Sequence, residues 1–273
     1  MPTFARDDIS FFYRDAGTGT PFVFQHGLGG DVHQPFGFFE EFLGDTPPFR
    51  LIAMDCRAHG DTQPVGPEDK ISFNAFADDV VALMDHLELG SAVAGGISMG
   101  AGVALNIATR YPERVCGLVL SRPAWLDAPM PGNLDILTRI ATLIRRYGSR
   151  EGRERFLQSE EYTRVRAEAP DVAQTALSQF DNPRAEDAVV RLERMPHDVP
   201  CADRALWSQI GVPTLVLVNQ WDPLHPHELG TTIAAAIPGA ELREITSKSS
   251  SLEAHTRDVQ RHVIEFFAQH IDR

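Results

Sequence analysis

The chain lacks any apolar run that approaches the length needed to cross a bilayer. Its first residues, Met-Pro-Thr-Phe-Ala-Arg-Asp-Asp, also lack the basic-then-apolar pattern of a secretory signal. Cysteine is scarce. Cys56, Cys116 and Cys201 are odd in number and scattered, which fits reduced thiols and a cytoplasmic location and argues against a disulfide framework. Positive charge is short as well: 25 Lys and Arg stand against 38 Asp and Glu, a net charge of −13. Such a surface excludes nucleic acid and anionic membrane as expected partners. No internal repeat and no low-complexity tract is present. His225-Pro-His227 lies beside Asp222, but two histidines around a proline offer neither helical spacing nor a third ligand. Neither a metal nor a cofactor is expected.

What is there suits a soluble α/β chain. With 273 residues, 43% of them hydrophobic, the chain can bury one large core or one core with a small appendage. Phe4-Ala-Arg and Ile9–Tyr13 flank a turn-prone Asp7-Asp8 and read as a hairpin, followed by a loop from Asp15 to Pro21. Six continuous apolar runs follow, at Pro21–Phe24, Arg50–Met54, Ala92–Ala94, Val115–Leu120, Thr214–Val218 and Glu241–Ile245. Runs without alternation suit strands buried on both faces, as in a parallel sheet. Between them, Asn74–Leu89 and Leu252–Ile271 carry apolar residues on one helical face, and Ser250 with Glu253 suggests a capping box for the second. Alternating strands and helices predict a doubly wound, mostly parallel sheet. Residues 127–200 break the alternation. They hold no strand-like run, and Leu134, Leu137, Ile140, Leu143 and Ile144 form a helical stripe. This predicts a helical insertion at 127–200 in a core made of 1–126 and 201–273.

Chemistry enters at Gly96-Ile97-Ser98-Met99-Gly100. A serine with glycines at both ±2 arises by chance in about one chain in ten of this composition, so its setting must carry the claim. That setting is an apolar strand before it and a helical run after it, the context of a nucleophilic serine on a sharp turn. Such a serine needs oxyanion donors, an acid and a base, each at the carboxyl end of a strand. His26-Gly27-Leu28-Gly29-Gly30 follows the third strand, making the Leu28 and Met99 amides the oxyanion-hole candidates, with His26 a structural hydrogen-bonder beneath them. Asp222 follows the seventh strand and is the candidate acid, with Asp127 in reserve. His255, in the first turns of the last helix, is preferred as base over His262 and His270. Asp55–Thr62 reads as a structural loop in which Arg57 and Asp61 bond locally. Phe36, Phe38 and Trp125 are candidate substrate contacts in an apolar pocket.

Taken together, His26–Gly30, D-x-R-x-H-G-x-T at Asp55–Thr62 and G-x-S-M-G at Gly96–Gly100 resemble the α/β-hydrolase family over roughly 20–123 and 211–273. The resemblance implies an α/β-hydrolase fold, a triad of Ser98, Asp222 and His255, and a lid formed by residues 127–200. The family has Gly-His directly after the last strand; here that stretch reads Ser247-Lys-Ser-Ser-Ser251. The expected activity is hydrolysis of a small carboxylic ester or lactone through an acyl-enzyme on Ser98. A carbon–carbon bond hydrolase, a cofactor-free haloperoxidase-like enzyme and a non-catalytic ligand-binding protein remain as alternatives. The sequence leaves open whether the chain is a monomer or a homodimer.

Overall fold

Asp7 and Asp8 both take positive φ, 51° and 60°, as a two-residue turn between twisted strands requires. In the computed structural model, which describes residues 2–44, 47–129 and 132–271, this turn joins β1 (Thr3–Arg6) to β2 (Ile9–Gly17). β2 runs on through the start of the stretch expected as a loop. The reason is β4 (Arg50–Met54), which pairs with Tyr13–Gly17 and whose Arg50 holds Asp15 by two bonds of 2.9 and 2.6 Å. β3 (Pro21–Gln25), β5 (Ala92–Ile97), β6 (Val115–Ser121), β7 (Thr214–Val218) and β8 (Glu241–Glu244) complete one sheet. Its order is β1-β2-β4-β3-β5-β6-β7-β8, parallel from β4 to β8.

Each central strand serves two cores. Phe22 and Phe24 of β3 join one apolar cluster and Val23 the other; Leu215 and Leu217 of β7 likewise part from Val216 and Val218. A period of two inside a continuous apolar run is what burial on both faces demands. The helices are α1 (His33–Phe39), α2 (Phe73–His86), α3 (Met99–Arg110), α4 (Asp135–Leu157), α5 (Glu160–Glu168), α6 (Pro170–Asp181), α7 (Val190–Arg194), α8 (His227–Ala236) and α9 (Leu252–Phe266). α1 and α9 cover one face through Phe36, Phe39, Val259, Val263 and Phe266; α2, α3 and α8 cover the other. Ser72 caps α2 by accepting from the Ala75 amide. α9 is capped by Ser251, which accepts from Ala254, one residue beyond the expected Ser250. Ser250 instead donates its amide to the Ser247 carbonyl in the preceding turn.

α4 to α7 all lie between β6 and β7, as the missing strand pattern of 127–200 predicts. Of the expected stripe, Leu134, Leu137, Ile140 and Ile144 are buried and Leu143 is half-buried, and α4 breaks at Gly148, whose φ of 73° no helix accommodates. No helix among the described residues is long and apolar enough to cross a membrane.

Candidate active site

β5 ends at Ile97 and α3 begins at Met99, so Ser98 alone makes the turn, at φ 55° and ψ −109°. Such a conformation costs a non-glycine residue on the order of 1–3 kcal/mol and must be held by its surroundings. Two features hold it. The Ser98 amide donates to the Ser121 carbonyl at 2.9 Å. The chain also crosses itself tightly on either side. A Cβ on Gly96 would lie 2.3 Å from the Gly100 carbonyl carbon, and one on Gly100 2.2 Å from the Gln25 oxygen. Glycine is therefore required at both positions.

Ser98 is partly exposed among buried neighbours and opens into a cavity of about 210 Å³. Segments following five parallel strands supply its walls: Gly27–Gly29 after β3, Ser98 after β5, Arg122 and Trp125 after β6, Asp222, Leu224 and His225 after β7, and Lys248 after β8. The insertion closes the remainder with Leu134, Leu137, Asp171, Val172, Thr175, Ser178 and Gln179. This crevice at the carboxyl edge of the sheet is where a doubly wound fold collects its functional groups.

Leu28 thus reaches the cavity in the loop beside Ser98, and Met99 follows Ser98 as the first residue of α3, where the helix dipole places partial positive charge. His26 lies beneath: its Nδ1 donates to the Gly27 carbonyl at 2.8 Å and its Nε2 accepts from the Cys56 amide at 3.1 Å. Arg191 of α7 secures the loop from the far side. It is buried and donates to the carbonyls of Leu28 (3.3 Å) and Ala188 (2.9 Å) and to Gln179 Oε1 (3.2 Å), and burial draws its guanidinium down to about 10. In the Asp55–Thr62 loop, Asp55 takes the amides of Val32 and Asp61. Arg57 reaches further than the local bonds expected of it, to Asp79 by two bonds of 2.6 and 2.8 Å and to Asp7.

Asp222 is buried and fully engaged. Its Oδ1 accepts the amides of Leu224 and His225, each at 3.2 Å, and its Oδ2 accepts His225 Nδ1 at 2.9 Å and Arg122 Nη1 at 3.2 Å. Burial alone would raise the carboxyl, but His225 and Arg122 override it and hold it well below the usual carboxylate range. Burial lowers His225, against the pull of Asp222, so its ring is neutral at neutral pH. With Nδ1–H given to the carboxylate, the free lone pair is on Nε2.

The structure does not bring His255 to this carboxylate. Its Nδ1 donates to the Thr246 carbonyl at 2.8 Å, its Nε2 is buried with no partner, and the ring is not part of the cavity wall. Burial, with Arg122 nearby, pushes it down to about 3. His262, two turns on, faces Arg261 and Glu265. Asp127, the reserve acid, pairs with Arg204. Of the three proposed aromatic contacts, Trp125 lines the cavity, its indole bonded to the Met195 carbonyl. Phe36 and Phe38 do not. They pack with α9 in the opposite core, where Phe38 lies 6.1 Å from the His255 ring and Phe36 carries the Arg14 guanidinium at 3.8 Å.

Three cavity residues escaped the sequence reading of the site. His225 was visible only as the neighbour of Asp222; the turn in which its amide bonds the Asp222 carbonyl at 3.1 Å folds the ring back onto the carboxylate. Lys248 stands in the Ser247–Ser251 stretch where a histidine was sought. Arg122, at φ 48°, gave no signal.

The family model for the alpha/beta hydrolase fold matches residues 20–251. The chain belongs to the α/β-hydrolase family. It is 24% identical to 3-oxoadipate enol-lactonase 2 of Acinetobacter baylyi, covering 81% of this chain and 79% of that protein. It is 36% identical to the dihydrolipoyllysine-residue acetyltransferase component of the acetoin cleaving system of Pseudomonas putida, but over 42% of this chain and only 30% of that longer protein. Among solved structures, a thermophilic esterase from Thermogutta terrifontis superposes with a TM-score of 0.73 at 26% identity, covering 97% of each chain.

Proposed function

We propose that this α/β-hydrolase cleaves a small carboxylic ester or lactone through an acyl-enzyme on Ser98. The strained turn of Ser98, open to the cavity between two obligatory glycines, carries this reading. The base in this reading is His225. Its Nε2 takes the proton as Ser98 Oγ attacks the carbonyl carbon, and Asp222 stabilises the imidazolium that forms. The Leu28 and Met99 amides hold the oxyanion, the imidazolium returns its proton to the leaving oxygen, and water activated by the same ring releases the acid. His225 is preferred to His255 because it alone combines a bond to Asp222 with a place on the cavity wall. Residues 127–200 act as a lid over the core formed by 1–126 and 201–273, with Trp125, Leu134, Leu137 and Val172 as the apolar walls of the acyl pocket.

The test is turnover of p-nitrophenyl esters from acetate to octanoate, with Ser98→Ala as control. The expected result is activity on the shorter members and a loss in kcat on the order of a million-fold in the variant. Equal rates in wild type and variant would overturn the reading.

A further inference from the structure

The proton relay uses Ser98, His225 and Asp222, and two cations on the cavity wall take no part in it. Arg122 is 5% exposed; one of its nitrogens, Nη1, is spent on Asp222, while Nε is buried with no partner. Its backbone is held at φ 48°, a conformation that costs free energy and persists where the surroundings fix it. Lys248 lies after β8 and lines the same cavity. It is one of only two lysines among the 25 basic residues; the other, Lys70, is exposed. The Lys248 ammonium forms neither a hydrogen bond nor an ion pair among the described residues. Burial and the repulsion of Arg122 bring it down to about 8, which leaves it mostly charged at neutral pH.

The acids nearby are committed elsewhere. Asp222 receives four donors, and Asp171 accepts from the Ser249 hydroxyl. A half-buried ammonium with no contacting counter-charge costs free energy that a bound anion would offset. The sign and size of that anion follow from the wall. Arg122 is already paired with Asp222, so Lys248 is the one cation on this wall without a contacting counter-charge: a monoanion matches its single charge, whereas a dianionic phosphate would exceed it.

We propose that Lys248 and Arg122 form an anion receptor beside Ser98, and that the substrate is an ester or lactone bearing a carboxylate a few atoms from the scissile carbonyl. This rests on the Ser98 hydrolase reading and narrows its substrate class. The carboxylate takes the Lys248 ammonium as its partner, with the Arg122 guanidinium beside it on the cavity wall.

The experiment compares mono-p-nitrophenyl glutarate with p-nitrophenyl pentanoate, equal in acyl length and different in charge, at pH 7. The wild type is expected to favour the glutarate in kcat/KM by about ten-fold or more, the scale of a hydrogen bond to a charged group. Lys248→Met should bring the ratio to one or below, and Lys248→Arg, which keeps the charge, should retain a preference. A wild-type ratio of one, or a ratio unchanged in Lys248→Met because both esters slow equally, would overturn the receptor; the second outcome would mark Lys248 as a base. If the wild type cleaves neither ester, the hydrolase reading fails, and the receptor is judged by titration calorimetry with glutarate. Binding to wild type and its loss in Lys248→Met support it, and no binding to wild type overturns it.

Discussion

His225 and His255 differ in what holds each ring. An imidazole held through Nδ1 by a carboxylate can carry the positive charge it acquires; one held by a carbonyl in a dry site cannot do so cheaply. Replacing His225 with Ala should therefore lower kcat on the order of a million-fold, and Asp222→Asn about ten-thousand-fold, in ester turnover assays. His255→Ala should leave kcat within a few-fold. Its cost should fall on stability, about 1–3 kcal/mol in urea unfolding, because the buried ring is lost from its packing and the Thr246 carbonyl loses its donor. The reverse pattern, with His255 essential and His225 dispensable, would return the base to the last helix. The pH dependence gives an independent check. Burial lowers His225, so kcat/KM should rise with pH through a value below the ordinary imidazole figure of about 6.5 and then level off.

At the scale of elements, the sharp turn at Ser98, an elbow between β5 and α3, and the insertion do different work. The elbow is rigid because Gly96 and Gly100 let β5, α3 and the end of β3 touch. Gly96→Ala would set a methyl 2.3 Å from backbone, so unfolding midpoints should fall and ester turnover should collapse with them. An active, undiminished Gly96→Ala would contradict the close approach. The insertion supplies Leu134, Leu137, Val172, Thr175 and Gln179 to the cavity, so replacing 127–200 by a short linker should broaden acyl-chain preference while Ser98 still reacts. Unchanged preference would remove its role in selection.

Much of this architecture was legible in the sequence, and for a physical reason. Strands buried on both faces must be apolar throughout, and a strained serine turn must have glycines, so β3 to β7 and the elbow announce themselves. Position within a loop is another matter. The identity of the base depends on a turn at Asp222–His225 that closes through backbone hydrogen bonds, and nothing in the residue types separates that ring from the one nine residues after Thr246. Phe36 and Phe38 misled for the same reason: an aromatic near a site and an aromatic in a core have the same composition, and α1 turns both toward α9.

At the scale of the whole molecule, the buried histidines set the acid limit of stability. Burial lowers His26, His59, His225 and His255, the last to about 3. Below about pH 6.5 the unfolded chain takes up protons at these positions and the folded chain does not, so stability falls as pH falls. Each such histidine contributes a slope of about 1.4 kcal/mol per pH unit across its own window, which for His255 extends down to about 3. Asp55 and Asp79, whose carboxyls burial raises, oppose this in part near the acid end. The urea midpoint should therefore drop steadily between pH 7 and pH 5. A midpoint constant over that range would mean the histidines protonate in the folded state.

The most direct test of the account is covalent. A fluorophosphonate should phosphonylate one residue, Ser98, giving a single adduct by intact mass and peptide mapping, and Ser98→Ala should give none. A wild type that stays unlabelled at Ser98 would contradict the claim that this turn presents a nucleophile.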